Sequence, residues 1–581
     1  MSHENYDPIN FFESKIKREM ELLLKTLGFT QPIVFEYPPS NLGDFAFPCF
    51  SLAPILKKNP AEIAKQIAEK LHEIPGIQPQ VSGPYLNFKI KNTELVKQVL
   101  ETIYRLNKHY GEGSKKDTKI ILEHTSANPT DKLHVGRARN PIIGDTLARI
   151  LKCAGYNLET QYYVDDMGKQ SARKILAKRY KYLKKDKTKF KTDYQWATSA
   201  TTLSSDYYDF SKAQELNEIL EGLESGDQQM LQEAEEVCSQ MMDEVIIPSL
   251  KRINVFIDKY VNESKFMLDN SVFNIIDELK KSEYFDMEED GACFIDLTPF
   301  DLGITKDKFF FVRADGKSLY ATRDIAYHHW KFKHWDIAIN ILGEDHKLES
   351  EYVRLGLKLT GSDKFPESIF YAFVNLPEGR MSTRKGQVVY IDDLVDEAVR
   401  LARDEVKLRR EDLNDKEIEE IAEMVGIGAV RYNIIKVQAE KKIVFRWEDA
   451  LNFEGDSAPF IQYAHARGYS ILRKADEMGF KVDPNNIKNE LIQNDFELEL
   501  LRTLARFPGL VQESSTKRAA HIIASYAHQV AAEFNQFYRE CPVLKAETPE
   551  LINARILLVD STRIVLGNTL KLLGIKAPER M

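Results

Sequence analysis

The sequence predicts an α/β protein: a doubly wound parallel sheet at the centre, a smaller α/β unit before it and an all-helical region after it. Three observations carry this expectation. From Lys119 to about Val395, the apolar runs "KIILEH", "LETQYYV", "KFFFVR", "IAINIL" and "FYAFV" alternate with helical stretches. At 581 residues the chain exceeds what one core accommodates, so several domains are expected. After about Asp396 the apolar residues recur only at helical spacing.

The leading unit spans residues 1–112. It comprises an amphipathic helix over Phe11–Leu27, the stretch "FEYPPSNLGDFAFP", helices around Pro60–Leu71 and the strand-like "VSGPYLNFKI". The polar, glycine-bearing "GEGSKKDTK" (Gly111–Lys119) marks its boundary. In the central region, 113–395, the strand Lys119–His124 runs into a loop with Ser126, Asn128 and Pro129, then the tetrad His134-Val135-Gly136-Arg137. A helix follows to Ala154, with Gly155 as its stop signal. The block 172–281 is charged, helical and too long for a crossover, so it reads as an insertion. Residues 396–463 read as a helical connector and 464–581 as a terminal helical domain. The polar "VDPNNIKNE" (Val482–Glu490) suggests a further boundary.

Apolar content of 43% and charged content of 29% are those of an ordinary soluble globular protein. No basic segment followed by an apolar stretch opens the chain, and no apolar run nears the roughly 20 residues of a membrane span. Neither a secretory signal nor a membrane partner is expected. The five cysteines (Cys49, Cys153, Cys238, Cys293, Cys541) are scattered, odd in number and never spaced C-x-x-C. That argues against structural zinc and a disulfide framework and fits a reducing cytoplasm. No oligomerisation heptads stand out, so a monomer is expected. The net charge of −9 means that a nucleic acid must be met by local basic patches. One such patch is Arg173–Lys191, with ten basic residues and one acidic. In isolation the run reads first as a solvated helix face and a disordered loop, ahead of a nucleic-acid patch.

Three groups of residues suggest chemistry. A strand, a small-residue turn and a helix N-terminus hold phosphate well, and in the first loop Gly136 permits close approach while His134 adds a donor. The second loop, Arg380-Met381-Ser382-Thr383-Arg384-Lys385-Gly386, offers three cations and two hydroxyls that suit pyrophosphate. Tyr320 and Asp324, four residues apart at a strand-to-helix turn, share one face and suit a guanidinium, which prefers planar paired acceptors. Each has a plainer reading alone: a packed turn, a surface loop, a surface i, i+4 pair.

In order along the chain, "EHTSANPT", "LHVGRARN", "YVDDMGKQ", "YATRD", "RMSTRKG", "FEGDSAPFIQYAHAR" and the ending "APERM" resemble the signatures of one class I aminoacyl-tRNA synthetase family, the arginyl-tRNA synthetases. "HVGR" resembles the HIGH motif and "RMSTRKG" that family's KMSKS loop, while "GDFAFP" with "GPYLNFK" resembles its N-terminal domain. The resemblance covers the whole chain. It implies a Rossmann-type catalytic domain, an N-terminal domain at the tRNA elbow and a helical anticodon-binding domain. It also implies that arginine and ATP, with Mg2+, form arginyl-adenylate and pyrophosphate, and that the arginyl group passes to the 2′-hydroxyl of the terminal adenosine of tRNA-Arg. Weak pyrophosphate exchange without tRNA is a further implied property, and no zinc is expected.

By position in the matched motifs, His134, Gly136, Ser126 and Met381 are implied at ATP. Glu123 and Asn128 are implied at the amino and carboxylate ends of arginine, and Tyr320, Asp324 and His346 at its guanidinium. Arg137 replaces the second HIGH histidine, either stabilising phosphate or pointing outwards. Arg380, Ser382, Arg384, Lys385 and also Lys132 are candidate contacts to pyrophosphate. For tRNA, Phe534, Phe537 and Tyr538 are candidates for stacking on unpaired bases. Tyr85 and Asn87 are candidates for a base at the elbow, and the run from Arg173 for the acceptor stem. Against this stand a cysteinyl-type enzyme, opposed by the absence of zinc-spaced cysteines and by Asp324, a non-catalytic tRNA-binding paralogue, and a small nucleotidyltransferase, which needs no C-terminal helical domain.

Overall fold

Asp7 starts the first helix, Pro8–Thr26: its carboxylate accepts the N–H groups of Ile9 (2.9 Å) and Asn10 (3.1 Å), and Pro8 follows, where a missing N–H costs nothing. Phe12, Ile16, Met20 and Leu24, four residues apart, are buried along one stripe. The helix packs on Asn92–Leu106, and the same unit holds a three-stranded antiparallel sheet, β1 (Phe45–Pro48), β2 (Ile77–Ser82) and β3 (Tyr85–Ile90), in the order β1-β3-β2, with the helix Pro60–Lys70 against β2 and β3. The computed structural model describes residues 7–29, 31–38, 42–71, 73–129, 132–179, 210–302, 306–375, 390–484 and 488–581.

The central sheet is five-stranded and parallel throughout. Its strands are β4 (Lys119–Glu123), β5 (Asn157–Val164), β6 (Lys259–Asn262), β10 (Ile337–Gly343) and β11 (Glu367–Tyr371), in the order β11-β10-β4-β5-β6. From β4 the chain winds outward through β5 to β6, then returns to lay β10 on the other side of β4. The strand order therefore reverses between β4 and β10, and a crevice opens outside their carboxyl ends. The helix Arg139–Cys153 joins β4 to β5 and ends on Gly155 at φ 98°, the expected stop.

Two strand expectations need correction. "KFFFV" is not in the parallel sheet: it forms β9 (Lys308–Val312) of a separate antiparallel sheet with β7 (Phe285–Met287) and β8 (Cys293–Asp296). Its Phe309 and Phe311 are buried while Phe310 is exposed, the alternation of a sheet with one wet face. β4, in contrast, buries Ile120, Ile121 and Leu122 without alternation. The fifth parallel strand is instead β6, four residues inside the block read as an insertion. That block also carries Glu224 and Glu263, which pair with the buried Arg323 (3.4 and 2.5 Å), so it is bound into the central unit.

Beyond the sheet, β12 (Val374–Asn375) pairs in parallel with β13 (Ile443–Val444). The remaining elements from Ile391 onward are helices, among them Asp415–Ile435, Ala458–Glu477, Asp495–Ala505, His521–Glu540 and Pro549–Leu572. The terminal helix, Pro549–Leu572, packs on the helices Ala458–Glu477 and His521–Glu540 and also on Asn92–Leu106 of the N-terminal unit. Among the described residues, no helix is long and apolar enough to cross a membrane.

Candidate active site

Sheet register places Asn340 of β10 beside Glu123 of β4, and Glu123 beside Gln161 of β5. Three polar side chains thus form one row across the middle strands, near their carboxyl ends. The helix Tyr320–Phe332 lies over the row and answers it group by group. Tyr327 Oη donates to Gln161 Oε1 at 2.8 Å, and Lys331 Nζ donates to Glu123 Oε2 at 2.5 Å and Asn340 Oδ1 at 3.2 Å. Glu123 Oε1 accepts from the Ser126 hydroxyl (2.9 Å), whose oxygen accepts the Tyr163 N–H (3.1 Å). Lys331 is fully buried, so the pair persists only because every partner is satisfied.

The same chain of bonds fixes a histidine tautomer. His328 Nδ1 stands 2.8 Å from the carbonyl of Asp324 and donates to it. Its Nε2 is then the acceptor for the Asn340 amide, also at 2.8 Å. Burial and the adjacent Lys331 ammonium hold His328 neutral, its pKa well below the ordinary value.

Beside this network is a pocket of about 50 Å³ whose walls include Glu123, Asp324, His328, Asn340, His346 and Glu349. At Asp324, desolvation by burial, then the neighbouring Glu349 and Glu123 charges, push the pKa up to about 8. His346 Nδ1 bonds Glu349 at 2.9 Å, which raises the imidazole pKa against the opposing effect of burial. Three carboxyl groups converge here: Lys331 bonds Glu123 and His346 bonds Glu349, while among the described residues no cation bonds the Asp324 carboxyl.

The turn between β4 and the helix Arg139–Cys153 forms the adjoining wall. Thr125 (φ 75°) and Ser126 (φ 29°) both take left-handed backbone, uncommon for side-chain-bearing residues and a mark of functional loops. The Thr125 N–H is fixed on Asn140 Oδ1 at 2.7 Å. His134 caps the following turn: its Nδ1 accepts the Gly136 N–H at 2.9 Å, leaving Nε2–H as the donor at the exposed edge. Burial and the charge of Arg137 lower its pKa and favour this neutral form. Arg137 is exposed, and its charge bears on His134, His346 and Tyr371, so it faces the crevice. Asn128 is exposed at the start of the turn.

Arg380, Met381, Ser382, Arg384 and Lys385 lie outside the described residues, but both flanks of segment 376–389 are placed. Before it, β12 pairs with β13, and the Ala372 N–H bonds the Ala439 carbonyl at 2.9 Å. After it, Tyr390 bridges His134, and the Ile391 N–H bonds the Leu133 carbonyl at 2.8 Å. Lys132 Nζ lies 5.4 Å from the Tyr390 ring centre. Fully buried Arg139 donates to the carbonyls of Ala372, Lys441, Val437 and Gln438 at 2.6–3.2 Å. The first turn and the root of the second loop therefore share one frame.

The structure gathers Glu123, Ser126, Asp324 and His346, with Lys132, His134, Gly136 and Arg137 alongside. Tyr320 is not a wall of the pocket. It is 55% exposed at the first position of its helix, with the Arg323 guanidinium 4.9 Å from its ring centre. Sequence reading missed Lys331, His328, Asn340 and Glu349. Their signals were present: Asp324, His328 and Lys331 follow i, i+4, i+7 spacing, and Asn340 interrupts an apolar strand.

The proposed RNA contacts divide. Phe534 and Phe537 are fully buried in the helical bundle, so the expectation that they stack on bases is corrected: on the helix His521–Glu540 they form its apolar stripe. Tyr538 is 43% exposed and shares the Arg467 guanidinium with exposed Tyr463, at 5.2 and 4.7 Å from the ring centres. Asn87 is buried, 3% exposed, and so is not presented to a base. Tyr85 is half-buried, edge-on to exposed Phe50 at 5.7 Å. The described part of the basic run is also spoken for: Lys174 is buried, and Lys178 and Arg179 pair with Glu236 (2.5 Å) and Glu233 (3.0 Å).

A reversed parallel sheet, a histidine-glycine turn at its switch point and a helical C-terminal region define a class I tRNA synthetase. The family model described as "tRNA synthetases class I (R), catalytic domain" matches residues 98–447, "Arginyl tRNA synthetase N terminal domain" matches 10–90 and "DALR anticodon binding domain" matches 461–581. The chain belongs to the arginyl-tRNA synthetase family. It is similar to the arginine–tRNA ligases of Methanocella arvoryzae (45% identical, 92% of each chain covered) and Methanocaldococcus jannaschii (42% identical, 94% of this chain and 95% of the other). The solved Thermus thermophilus arginyl-tRNA synthetase superposes with a TM-score of 0.80 at 29% identity, covering 97% of this chain and 99% of the other.

Proposed function

We propose that the pocket at the β4–β10 switch point binds the arginine side chain and that the His134 turn beside it holds ATP. Arginine–tRNA ligation is the activity of the family to which the chain belongs, and the chain is a ligase of that kind. The observation that carries the residue assignment is the convergence of Asp324, Glu349 and Glu123 on one small pocket, where Lys331 bonds Glu123, His346 bonds Glu349 and, among the described residues, no cation bonds the Asp324 carboxyl. A guanidinium supplies a delocalised charge and a planar fork of donors, which paired carboxylate oxygens accept. Lysine offers a compact point charge that leaves acceptors unpaired, a costly outcome in a buried site.

In this reading the arginine carboxylate attacks the α-phosphate of ATP, and pyrophosphate leaves. The carboxylate is already a competent nucleophile, so positioning and charge stabilisation carry the rate. His134 Nε2–H and the amides of its turn face the phosphates. Arg137 supplies the permanent cation at the place of the second HIGH histidine. The loop carrying Arg380, Arg384 and Lys385 closes the pyrophosphate side, and Mg2+ enters with ATP as substrate. Asn128 holds the amino-acid end, while Glu123, committed to Lys331, shapes the pocket floor. Tyr320 acts at the pocket rim. Tyr463, Arg467 and Tyr538 offer a stacking surface to tRNA-Arg, and the chain acts as a monomer with domain boundaries near 113, 396 and 464.

Aminoacylation of total tRNA with each labelled amino acid tests the reading. Charging with arginine alone is expected, with weak pyrophosphate exchange until tRNA is added. No charging by folded protein supports the paralogue instead.

A further inference from the structure

We propose that a second cavity, at the end of the central sheet opposite the catalytic pocket, binds a small ligand carrying two or more phosphates. The cavity is about 870 Å³. Its walls come from the segment Lys108–Lys119, the start of β5 at Gly155–Asn157, the end of the helix Arg139–Cys153 and the end of the terminal helix at Lys571. It therefore lies at the amino ends of β4 and β5, one strand length, roughly 16 Å, from the site at their carboxyl ends.

The charge of these walls opposes that of the chain, which is −9 overall. Lys108, Lys115, Lys119 and Lys571 are all exposed around the cavity, and among the described residues none of their ammonium groups makes an ion pair, although the Asp336 carboxylate accepts the Lys119 backbone N–H at 2.9 Å. Three further cations are already engaged: Lys116 by Gln512 (2.9 Å), Lys152 by Asp258 (3.0 Å) and Arg149 by Asp145 (2.8 Å). The acids in the wall are Glu112, which bonds His109 at 3.0 Å, and Asp117. Lys571 stands in the last turn of a helix and offsets its dipole, so helix stability alone accounts for its sign. Lys115 and Lys119 have no such role: one is in a loop, the other begins a strand. Unpaired like charges around a concavity raise their own energy, and a compact polyanion relieves it. The volume is that of a small-molecule site, whereas a tracked RNA strand requires an open groove. Because the walls belong to the N-terminal, catalytic and C-terminal units, an occupant ties all three together and stabilises their arrangement by mass action.

Inorganic tripolyphosphate is the probe, titrated calorimetrically into the full chain, into the variant Lys115→Gln/Lys119→Gln/Lys571→Gln, and into His134→Ala. Binding is expected to survive in His134→Ala and to weaken at least about tenfold in the triple variant, charge-assisted hydrogen bonds being the strong ones. A second triple variant, all three to Arg, is expected to retain it. The triple Gln variant should keep its KM for ATP, which separates this cavity from the catalytic phosphates. Binding that vanishes in His134→Ala, or persists unchanged without the three lysines, overturns the proposal. So does a loss of tRNA affinity in the triple Gln variant with no tripolyphosphate binding to the native chain, which assigns the surface to RNA backbone. None of these outcomes alters the arginylation reading.

Discussion

Asp324 is a carboxylic acid whose proton is set by its neighbours. Its pKa rises from 3.8 to about 8, so the folded chain binds this proton more tightly than the unfolded chain between those values. The group's contribution to stability therefore falls as pH rises from about 4 to 8. A bound guanidinium reverses the imbalance, pulls the pKa down and expels the proton. Arginine binding at about pH 7 is thus expected to release a proton, visible as a heat that changes with buffer ionisation enthalpy, and to tighten towards about pH 8. Asp324→Asn is expected to abolish that proton release and to lower kcat/KM for arginine by on the order of 10²–10³, the loss typical of removing one partner from a buried charged pair. ATP binding should survive. Unchanged arginine kinetics in this variant would sink the assignment.

At the scale of elements, the polar row Asn340–Glu123–Gln161 under the helix Tyr320–Phe332 joins three strands to one helix. Replacing Lys331 with Met leaves Glu123 charged and buried, and is expected to cost about 3–5 kcal/mol. Adding Glu123→Gln should recover part of this in a double-mutant cycle read by urea unfolding; strict additivity would show that the pair is not coupled. The seat of the helix Arg139–Cys153 is set by a glycine. A Cβ on Gly144 would stand 2.3 Å from Cγ of the buried His124 ring, so Gly144→Ala must push the helix off β4. The expected cost is about 1–3 kcal/mol, with a larger fall in pyrophosphate exchange, since the His134 turn moves with the helix. A variant with native exchange would refute that link.

Across the whole molecule, fully buried Arg431 ties the terminal helix to the catalytic unit. It donates to the Leu573 carbonyl (2.9 Å), the Ile253 carbonyl (2.7 Å) and Asp145 on the helix Arg139–Cys153 (2.7 Å). Arg431→Met is expected to destabilise by about 3–5 kcal/mol and to separate the unfolding of the C-terminal bundle from that of the sheet in calorimetry. A single unshifted transition would count against the coupling. The more exposed Arg502–Asp44 contact, which joins the N-terminal and C-terminal units, is screened by solvent and should matter less.

Local chemistry settled much of this in advance. The capped turn at His134–Gly136, the helix stopped at Gly155, the buried apolar β4 and the helical periodicity beyond Asp396 are written in consecutive residues, where spacing and backbone preference act directly. Asp324 and His346 were legible through motifs for the same reason. What only the tertiary structure decided is which faces meet. β6 hides in a charged block, and β9 pairs in a separate antiparallel sheet. Phe534 and Phe537 face the core rather than RNA. Glu349, Asn340 and Lys331 meet Asp324 and Glu123 only because β10 returns beside β4, and burial, which sets the charge of every group in that pocket, exists only once they are brought together.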